Sequence, residues 1–223
     1  MPALPLAAGL THAGNVLREA GNRVVGLPEV AGTLAGSRRP KKLRVGVAIL
    51  RDERGRPVAV PADVEPSLEE ARRVLREQLA VELVPAGAPL LRTLEDPAPS
   101  QALDAPCVTR SYRADLGPGG AFFRRHAARG PTSGSGAPIT VFVVRDVLGK
   151  AGCSLGPLVD YVTVDMTALT GRTRRVLVHE LGHACGLPHS GAPGNLMLPK
   201  RMGDRLSLAQ AAVFRSSRHV TYR

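Results

Sequence analysis

One short segment concentrates residues that could bind a metal ion and activate water. It runs His-Glu-Leu-Gly-His-Ala-Cys-Gly-Leu-Pro-His from His179 to His189 and holds three of the six histidines in the chain. His179 and His183 are four residues apart, so on a helix their imidazoles project from one face and can reach one ion. Glu180 follows about 100° further round the helix, where it can take a proton from water without being a ligand.

The third ligand is expected from the chain that follows this helix. Gly186, three residues beyond His183, can take a left-handed conformation that ends the helix. Pro188 is consistent with a helix that has already ended, and the chain can then return His189 to the metal. Three histidines leave one position of a tetrahedral zinc ion open, as in catalytic sites. The pattern therefore predicts Zn²⁺ bound by the three histidines, with Glu180 as the catalytic residue.

The same segment resembles the zinc motif of a known clan of peptidases. Residues 179–189 match HExxHxxGxxH, the motif of the metzincins. Met197 lies at a suitable distance downstream for the methionine turn that this clan carries under the metal. His189-Ser190 and the Leu-Met-x-Pro run at 196–199 are most similar to the matrixin branch. The resemblance is strong over residues 160–200 and only architectural in the preceding strands and helix.

The resemblance implies a zinc-dependent metalloendopeptidase. His179, His183 and His189 would be the metal ligands. Glu180 would act as general base and general acid, and Met197 would be a structural floor under the metal. Peptide hydrolysis would take place in a cleft between an upper half that contains the sheet and a lower C-terminal half. A catalytically silent zinc-holding protein of the same fold, which binds peptides without cutting them, is the alternative.

The elements that must position the motif alternate between strands and helices. Apolar runs predict strands at 43–50, within 81–92, at 139–147 and at 161–166. Helices are predicted from Ser67, where Glu70 completes a capping box, over 172–185, and from Ser207 to about 217. We therefore expect an α/β (α+β) zincin-like fold, with a twisted, mostly parallel sheet, a backing helix and an active-site helix. A small C-terminal subdomain with the methionine turn and a closing helix would follow.

Residues 1–40 differ in composition from the rest of the chain. They are rich in Ala and Gly, and a pro-segment, a disordered arm and a packed extension all remain open. Residues 41–223 are predicted to be one metallopeptidase catalytic domain. Residues 1–10 are apolar, but they lack a basic start and contain two prolines, so they make a poor signal peptide. Localisation is therefore undetermined by the sequence, although the resemblance favours an extracellular, secreted protein.

The charge of the chain does not point to a nucleic-acid partner. The formal net charge is +11, but the arginines are scattered and the densest basic cluster, residues 38–42, is short. No apolar run approaches the roughly 20 residues of a membrane span. We expect a peptide or protein substrate, no nucleic acid, no membrane span and a monomeric protein.

Three cysteines allow one disulfide bridge and leave one thiol. No CxxC pair occurs, so a thiolate zinc site is not expected. Cys153 opens the segment that leads into the strand before the motif helix, which favours a bridge from Cys153 to Cys185. The alternatives are the two pairings that include Cys107, and a Cys185 that packs as a small apolar side chain.

Overall fold

The computed structural model describes residues 3–107, 113–128, 136–170, 174–200 and 203–222. The α-helices in these ranges are α1 (Ala3–Val25), α2 (Leu27–Leu34), α3 (Pro61–Leu79), α4 (Ser100–Leu103), α5 (Arg113–Leu116), α6 (Pro118–His126), α7 (Met166–Thr170), α8 (Val176–Ala184) and α9 (Leu208–Arg215). The strands are β1 (Lys41–Arg51), β2 (Val81–Pro85), β3 (Leu91–Pro97), β4 (Asp104–Ala105), β5 (Ile139–Val144), β6 (Asp146–Val147), β7 (Gly152–Ser154), β8 (Tyr161–Asp165) and β9 (Val220–Thr221). A 3-10 helix spans Gly156–Leu158.

A mostly parallel sheet forms the centre of the fold, with the strand order β2-β1-β5-β8-β7. β1 also pairs in parallel with β3. β7 runs antiparallel to β8, and β9 antiparallel to β1. β5 is buried at every residue, which fits its apolar run and its place in the middle of the sheet. The α/β fold with a mostly parallel sheet, predicted from the sequence, is confirmed.

Two apolar cores lie on opposite faces of the sheet because successive strand residues point in opposite directions. Val47 and Ile49 of β1 belong to the first core, which includes the apolar faces of α3 and α8. Ala48 and Leu50 of the same strand belong to the second core, which includes residues of α6. The helix that carries the histidine motif is therefore supported along its length by the sheet and the backing helix.

The backing helix α3 begins earlier than the sequence predicts. It starts at Pro61, and the side chain of Asp63 accepts a hydrogen bond from a backbone N–H just ahead of the helix at 2.9 Å. Ser67 is buried inside the helix and does not cap it. Glu70 instead accepts a hydrogen bond from Arg175 at 2.8 Å, at the start of α8. The predicted helix start at Ser67 is therefore wrong. Glu70 does not complete a capping box, because its carboxylate links α3 to α8.

The two C-terminal helices agree with the sequence more closely. α8 lies within the predicted range of 172–185, of which residues 172–173 fall outside the described residues. At the start of α9 the predicted capping box is present. The Ser207 hydroxyl accepts from the backbone N–H of Gln210 at 3.2 Å, and the Gln210 side chain accepts from the backbone N–H of Ser207 at 2.9 Å.

Helices α1 and α2 pack against the C-terminal part of the chain. The fully buried Arg215 of α9 donates to Glu29 of α2 at 2.6 and 2.8 Å and to the carbonyl of Leu79 at 2.6 Å. Glu19 of α1 accepts from the backbone N–H of Arg218 at 3.1 Å. The division of the chain at residue 40 and a pro-segment role for residues 1–40 stay predictions. No helix among the described residues is long and apolar enough to cross a membrane.

The disulfide pairing differs from the one favoured by the sequence. Cys107 and Cys153 form the bridge, which ties the chain after β4 to β7. Cys185 is free and fully buried at the end of α8. The favoured bridge from Cys153 to Cys185 is wrong, because the two residues belong to the separate cores on opposite faces of the sheet.

Candidate metal centre

The structure brings the three predicted ligands together. Potential ligand atoms of His179, His183 and His189 all lie within 4.8 Å of one another. The first two come from α8, one helical turn apart, and their Nε2 atoms are 3.1 Å apart. His189 comes from the loop after the helix, and its ring centroid is 4.6 Å from that of His183.

Backbone carbonyls fix the orientation of the two helix-borne rings. His179 Nδ1 lies 2.8 Å from the carbonyl oxygen of Leu196, and His183 Nδ1 lies 2.7 Å from that of Leu187. A carbonyl oxygen can only accept, so each Nδ1 carries the proton and each Nε2 keeps its lone pair. Such outer hydrogen bonds are the usual way in which ligating histidines are held and tuned.

Burial keeps both helix-borne imidazoles in the neutral form that binds metals. It lowers the pKa of His183 to about 4, against the opposing effect of the hydrogen bond to Leu187. The pKa of His179 is lowered for the same reason. At neutral pH no proton therefore has to leave either ring before a cation binds.

The loop that carries the third histidine begins with a Schellman motif. Gly186 has φ +91°, its N–H donates to the carbonyl of His183 at 2.9 Å, and the N–H of Leu187 donates to that of Gly182 at 2.9 Å. The predicted left-handed glycine that ends the helix is confirmed. His189 itself is exposed, and no hydrogen bond to its ring is found among the described residues.

Glu180 lies beside the histidines and is almost completely buried, with 6% of its surface exposed. Burial raises the pKa of its carboxyl to about 8, and the positive charge of Lys150 acts in the opposite direction. A bound dication would also favour the ionised form. A carboxylate whose pKa is moved towards neutrality is suited to accept a proton and later return it.

A buried segment after the motif passes under α8. Met197 is fully buried, and its sulfur would lie 2.7 Å from a Cβ placed on Gly182, so the helix approaches the methionine closely at this glycine. Asn195 accepts from the backbone N–H of Met197 at 2.9 Å and donates to Gln210 of α9 at 2.8 Å. The carbonyl that orients His179 belongs to this same segment.

Three residues of the site were not found by sequence reasoning. A Cβ on Gly152 of β7 would lie 2.7 Å from Cγ of Glu180, so the catalytic candidate fits only beside a glycine. Arg23 of α1 lies over the turn at Gly186, where Nη2 would be 2.2 Å from an added Cβ. Asn195 anchors the methionine segment. Only Asn195, next to the predicted methionine turn, had a sequence signal that could have identified it.

The residues present fit a zinc ion. Two ligands about 2.0–2.1 Å from a tetrahedral ion are separated by about 3.3 Å, close to the 3.1 Å between the Nε2 atoms of His179 and His183. Neutral, oriented imidazoles are the ligands that zinc prefers when thiolates are absent. An arrangement of three histidines also leaves a coordination position for water or substrate.

No protein-family model matches the chain, and no curated protein matches it. The solved structures that it resembles include metalloproteinase-II from Bacteroides fragilis, at 10% identity and a TM-score of 0.49, covering 77% of this chain and 50% of that one. A zinc-dependent peptidase from Methanocorpusculum labreanum is 19% identical, with a TM-score of 0.39 and coverage of 75% and 93%. Archaemetzincin from Methanopyrus kandleri is 18% identical, with a TM-score of 0.38 and coverage of 80% and 88%.

The chain thus spans about half the length of the Bacteroides protein. The first two neighbours are named as peptidases that use a metal. The function of this chain follows from the chemistry of its own side chains.

Proposed function

We propose that the protein is a zinc-dependent metalloendopeptidase. The observation that carries the proposal is the convergence of His179, His183 and His189 within 4.8 Å, beside a buried Glu180. The three histidines are the proposed ligands and Glu180 is the proposed general base and acid. Zinc, when bound there, would polarise the scissile carbonyl and lower the pKa of a water molecule.

The chain's own residues would then move the proton. Glu180 takes a proton from the attacking water as the water oxygen bonds to the carbonyl carbon. The same carboxyl then gives that proton to the departing nitrogen as the C–N bond breaks, which leaves a free carboxylate and an amine. Its burial and its position against Gly152 hold the carboxyl at this place through both transfers.

A peptide substrate has a suitable strand to bind beside the catalytic residue. β7 is the antiparallel strand at one end of the sheet order, and it contains Gly152. Strands at the edge of a sheet can bind extended peptides through main-chain hydrogen bonds, and Ser154 is the partly exposed residue of β7. The disulfide at Cys153 fixes this strand to the chain after β4. Binding of an extended peptide along this strand would suit a cut within the peptide chain, as the endopeptidase proposal requires.

The finer family features are part of the same proposal. The fully buried Met197 under α8 has the position expected of a methionine turn, which supports a zincin-like lower subdomain formed by this segment and α9. Likeness to the matrixin branch rests on the sequence around residues 189–199 alone. We also propose an extracytoplasmic location, since the Cys107–Cys153 bridge is the kind of bond that persists in oxidising compartments.

The test is cleavage of a broad quenched-fluorescent peptide library. Wild-type protein, the Glu180→Ala variant and a chelated sample restored with zinc would be compared, and bound zinc would be measured in each. We expect internal cleavage by the wild type that is lost on chelation and restored by zinc. Glu180→Ala should keep one zinc per chain and lose about 10²–10⁴-fold in rate, the usual contribution of a general base.

Other results would reject specific parts of the proposal. Full activity of Glu180→Ala would remove the proton-transfer role from that residue. One zinc per chain without cleavage of any peptide in the library would favour the catalytically silent peptide-binding protein. No zinc bound at all would reject the metal site.

A further inference from the structure

Helix α1 buries two polar side chains and exposes large apolar ones. Asn15 and Glu19 are buried against the rest of the protein, with 1% and 5% of their surfaces exposed. Leu10 and Leu17 are each 73% exposed, and Val24 is 67% exposed. Surface helices of globular proteins have the opposite arrangement, in which the apolar face packs on the core.

The exposed apolar residues have the spacing of a helix that packs against another helix. The outer face of α1 consists of Leu10, Ala13, Leu17, Ala20 and Val24, all of them exposed. Their separations are three, four, three and four residues, which is the heptad pattern of a two-helix seam. At roughly 100° per residue they fall within an arc of about 80°.

Small residues on and beside the outer face allow a partner to come close. Ala13 and Ala20 alternate with the larger leucines and valine along the seam. Gly14 and Gly21 lie next to them, and a Cβ added to either would meet nothing within 4 Å. Alternating large and small residues let the side chains of two helices interdigitate.

The exposed apolar surface is of the size that a dimer needs. Besides the outer face, the large exposed residues of α1 and α2 are Val16 (47%), Val25 (81%), Leu27 (62%) and Leu34 (51%). A fully exposed aliphatic side chain has on the order of 100 Å² of apolar surface, so the two helices together offer several hundred Å². A stable interface takes roughly 800 Å² from each partner, of which a little over half is apolar, so this surface is comparable to the apolar share of one side.

We infer that the outer face of α1 is the interface with a second copy of this chain. A closed two-fold pair is the commonest assembly of identical subunits, and it would cover the same seam on both copies at once. Helices that lie on membranes have broad apolar faces and many flanking cations. Between residues 10 and 34, Arg18 is the one exposed Lys or Arg side chain, so the charge of this surface favours a second helix over an anionic lipid surface.

The test measures molar mass by light scattering across a concentration series. The full-length protein should approach twice the 23.5 kDa of one chain. Leu17→Glu places a charge in the centre of the seam while glutamate keeps good helix propensity. It should raise the dimer dissociation constant at least tenfold, and Leu10→Glu should act in the same direction. Leu208→Glu, at an exposed leucine in the first turn of α9, should leave the mass unchanged.

Two results would overturn the inference. One is a wild-type mass of 23.5 kDa at every concentration, or a dimer that Leu17→Glu and Leu10→Glu leave intact. The other is a monomer that co-sediments with anionic phospholipid vesicles and loses that binding in Leu17→Glu, which would assign the outer face to membranes. Far-UV circular dichroism would confirm that each variant keeps its helices.

Discussion

The candidate metal centre has two parts that are built differently. His179 and His183 are presented by a helix, and each ring is fixed by a hydrogen bond to a backbone carbonyl. His189 is presented by a loop and is exposed, and its position follows from the backbone on either side of it. That backbone is fixed by the turn at Gly186 and by the hydrogen bond from the N–H of Ser190 to the carbonyl of Met197, at 3.0 Å.

The helix therefore presents a preorganised pair of the proposed ligands, and the loop presents the third. The helix is held at its start by Glu70 and Arg175 and from below by Met197. Arg23 holds the loop at Gly186, because its Nη2 donates to the carbonyl oxygen of Cys185 at 3.4 Å. A distant helix, α1, thereby supports the part of the site with the fewest contacts of its own.

The largest effects are expected from the ligands themselves. His183→Ala should lower zinc affinity by more than the 10–100-fold typical of losing an outer hydrogen bond, because one lone helix ligand and a loop ligand remain. The zinc affinity of His189→Ala should fall less, and this variant should still bind measurable zinc, because His179 and His183 remain in place. Competition with a chromophoric chelator would measure both. Equal losses in the two variants would mean that the loop ligand is as well preorganised as the helix pair.

The turn that begins the loop should be the next most sensitive position. Gly186→Ala forces a side chain onto a residue with φ +91° and against the guanidinium of Arg23. We expect a loss of about 1–3 kcal/mol in unfolding free energy, together with weaker zinc binding. Gly32→Ala, in a helix with open space around it, is the matched control and should be neutral or slightly stabilising. Urea denaturation of the two variants would measure the difference.

The contact from Arg23 of α1 to this loop should have a smaller effect on metal binding. Arg23→Ala removes the guanidinium from the carbonyl of Cys185 and should weaken zinc binding about 10-fold, the lower end of the range for outer contacts. Arg76→Ala, which removes an exposed arginine from α3, should leave zinc affinity unchanged. Equal affinities in both variants and the wild type would show that the loop needs no support from α1. The spectrum of the cobalt-substituted protein would report the change in ligand geometry.

The smallest effect concerns the ion pair at the start of α8 and depends on pH. Arg73, with Arg175, lowers the pKa of Glu70 to about 2 from an ordinary value of 4.5. Because the folded pKa is the lower one, the stabilisation is present above pH 4.5 and is lost as the pH falls towards 2. Glu70→Gln should lower the unfolding free energy by about 1 kcal/mol at pH 7. The effect is this small because solvent partly screens the pair. The difference in unfolding free energy between the wild type and Glu70→Gln should disappear as the pH falls from 4.5 towards 2. A difference that does not change with pH would argue against the ion pair.

Sequence reasoning identified the features that depend on local pattern. The convergence of the three histidines, the glycine that ends α8 and the capping box at Ser207 all follow from spacings within a few residues. The start of α3 was misplaced because Ser67 and Glu70 have a capping pattern but serve a contact with Arg175, more than 100 residues away. The Cys107–Cys153 bridge and the contacts of Arg23 and Gly152 likewise join distant segments, and single-sequence patterns carry no record of such pairs.

The contacts between the two ends of the fold also have a consequence for its kinetics. The ion pair between Arg215 and Glu29 spans 186 positions, and β9 adds its hydrogen bonds to the first strand of the sheet. Contacts between residues so distant in sequence raise the contact order, and high contact order slows folding. The sheet can begin to form early, but Arg215 reaches its buried partners only when the last helix docks. The final step of folding would therefore be the one that joins α2, α9 and β1.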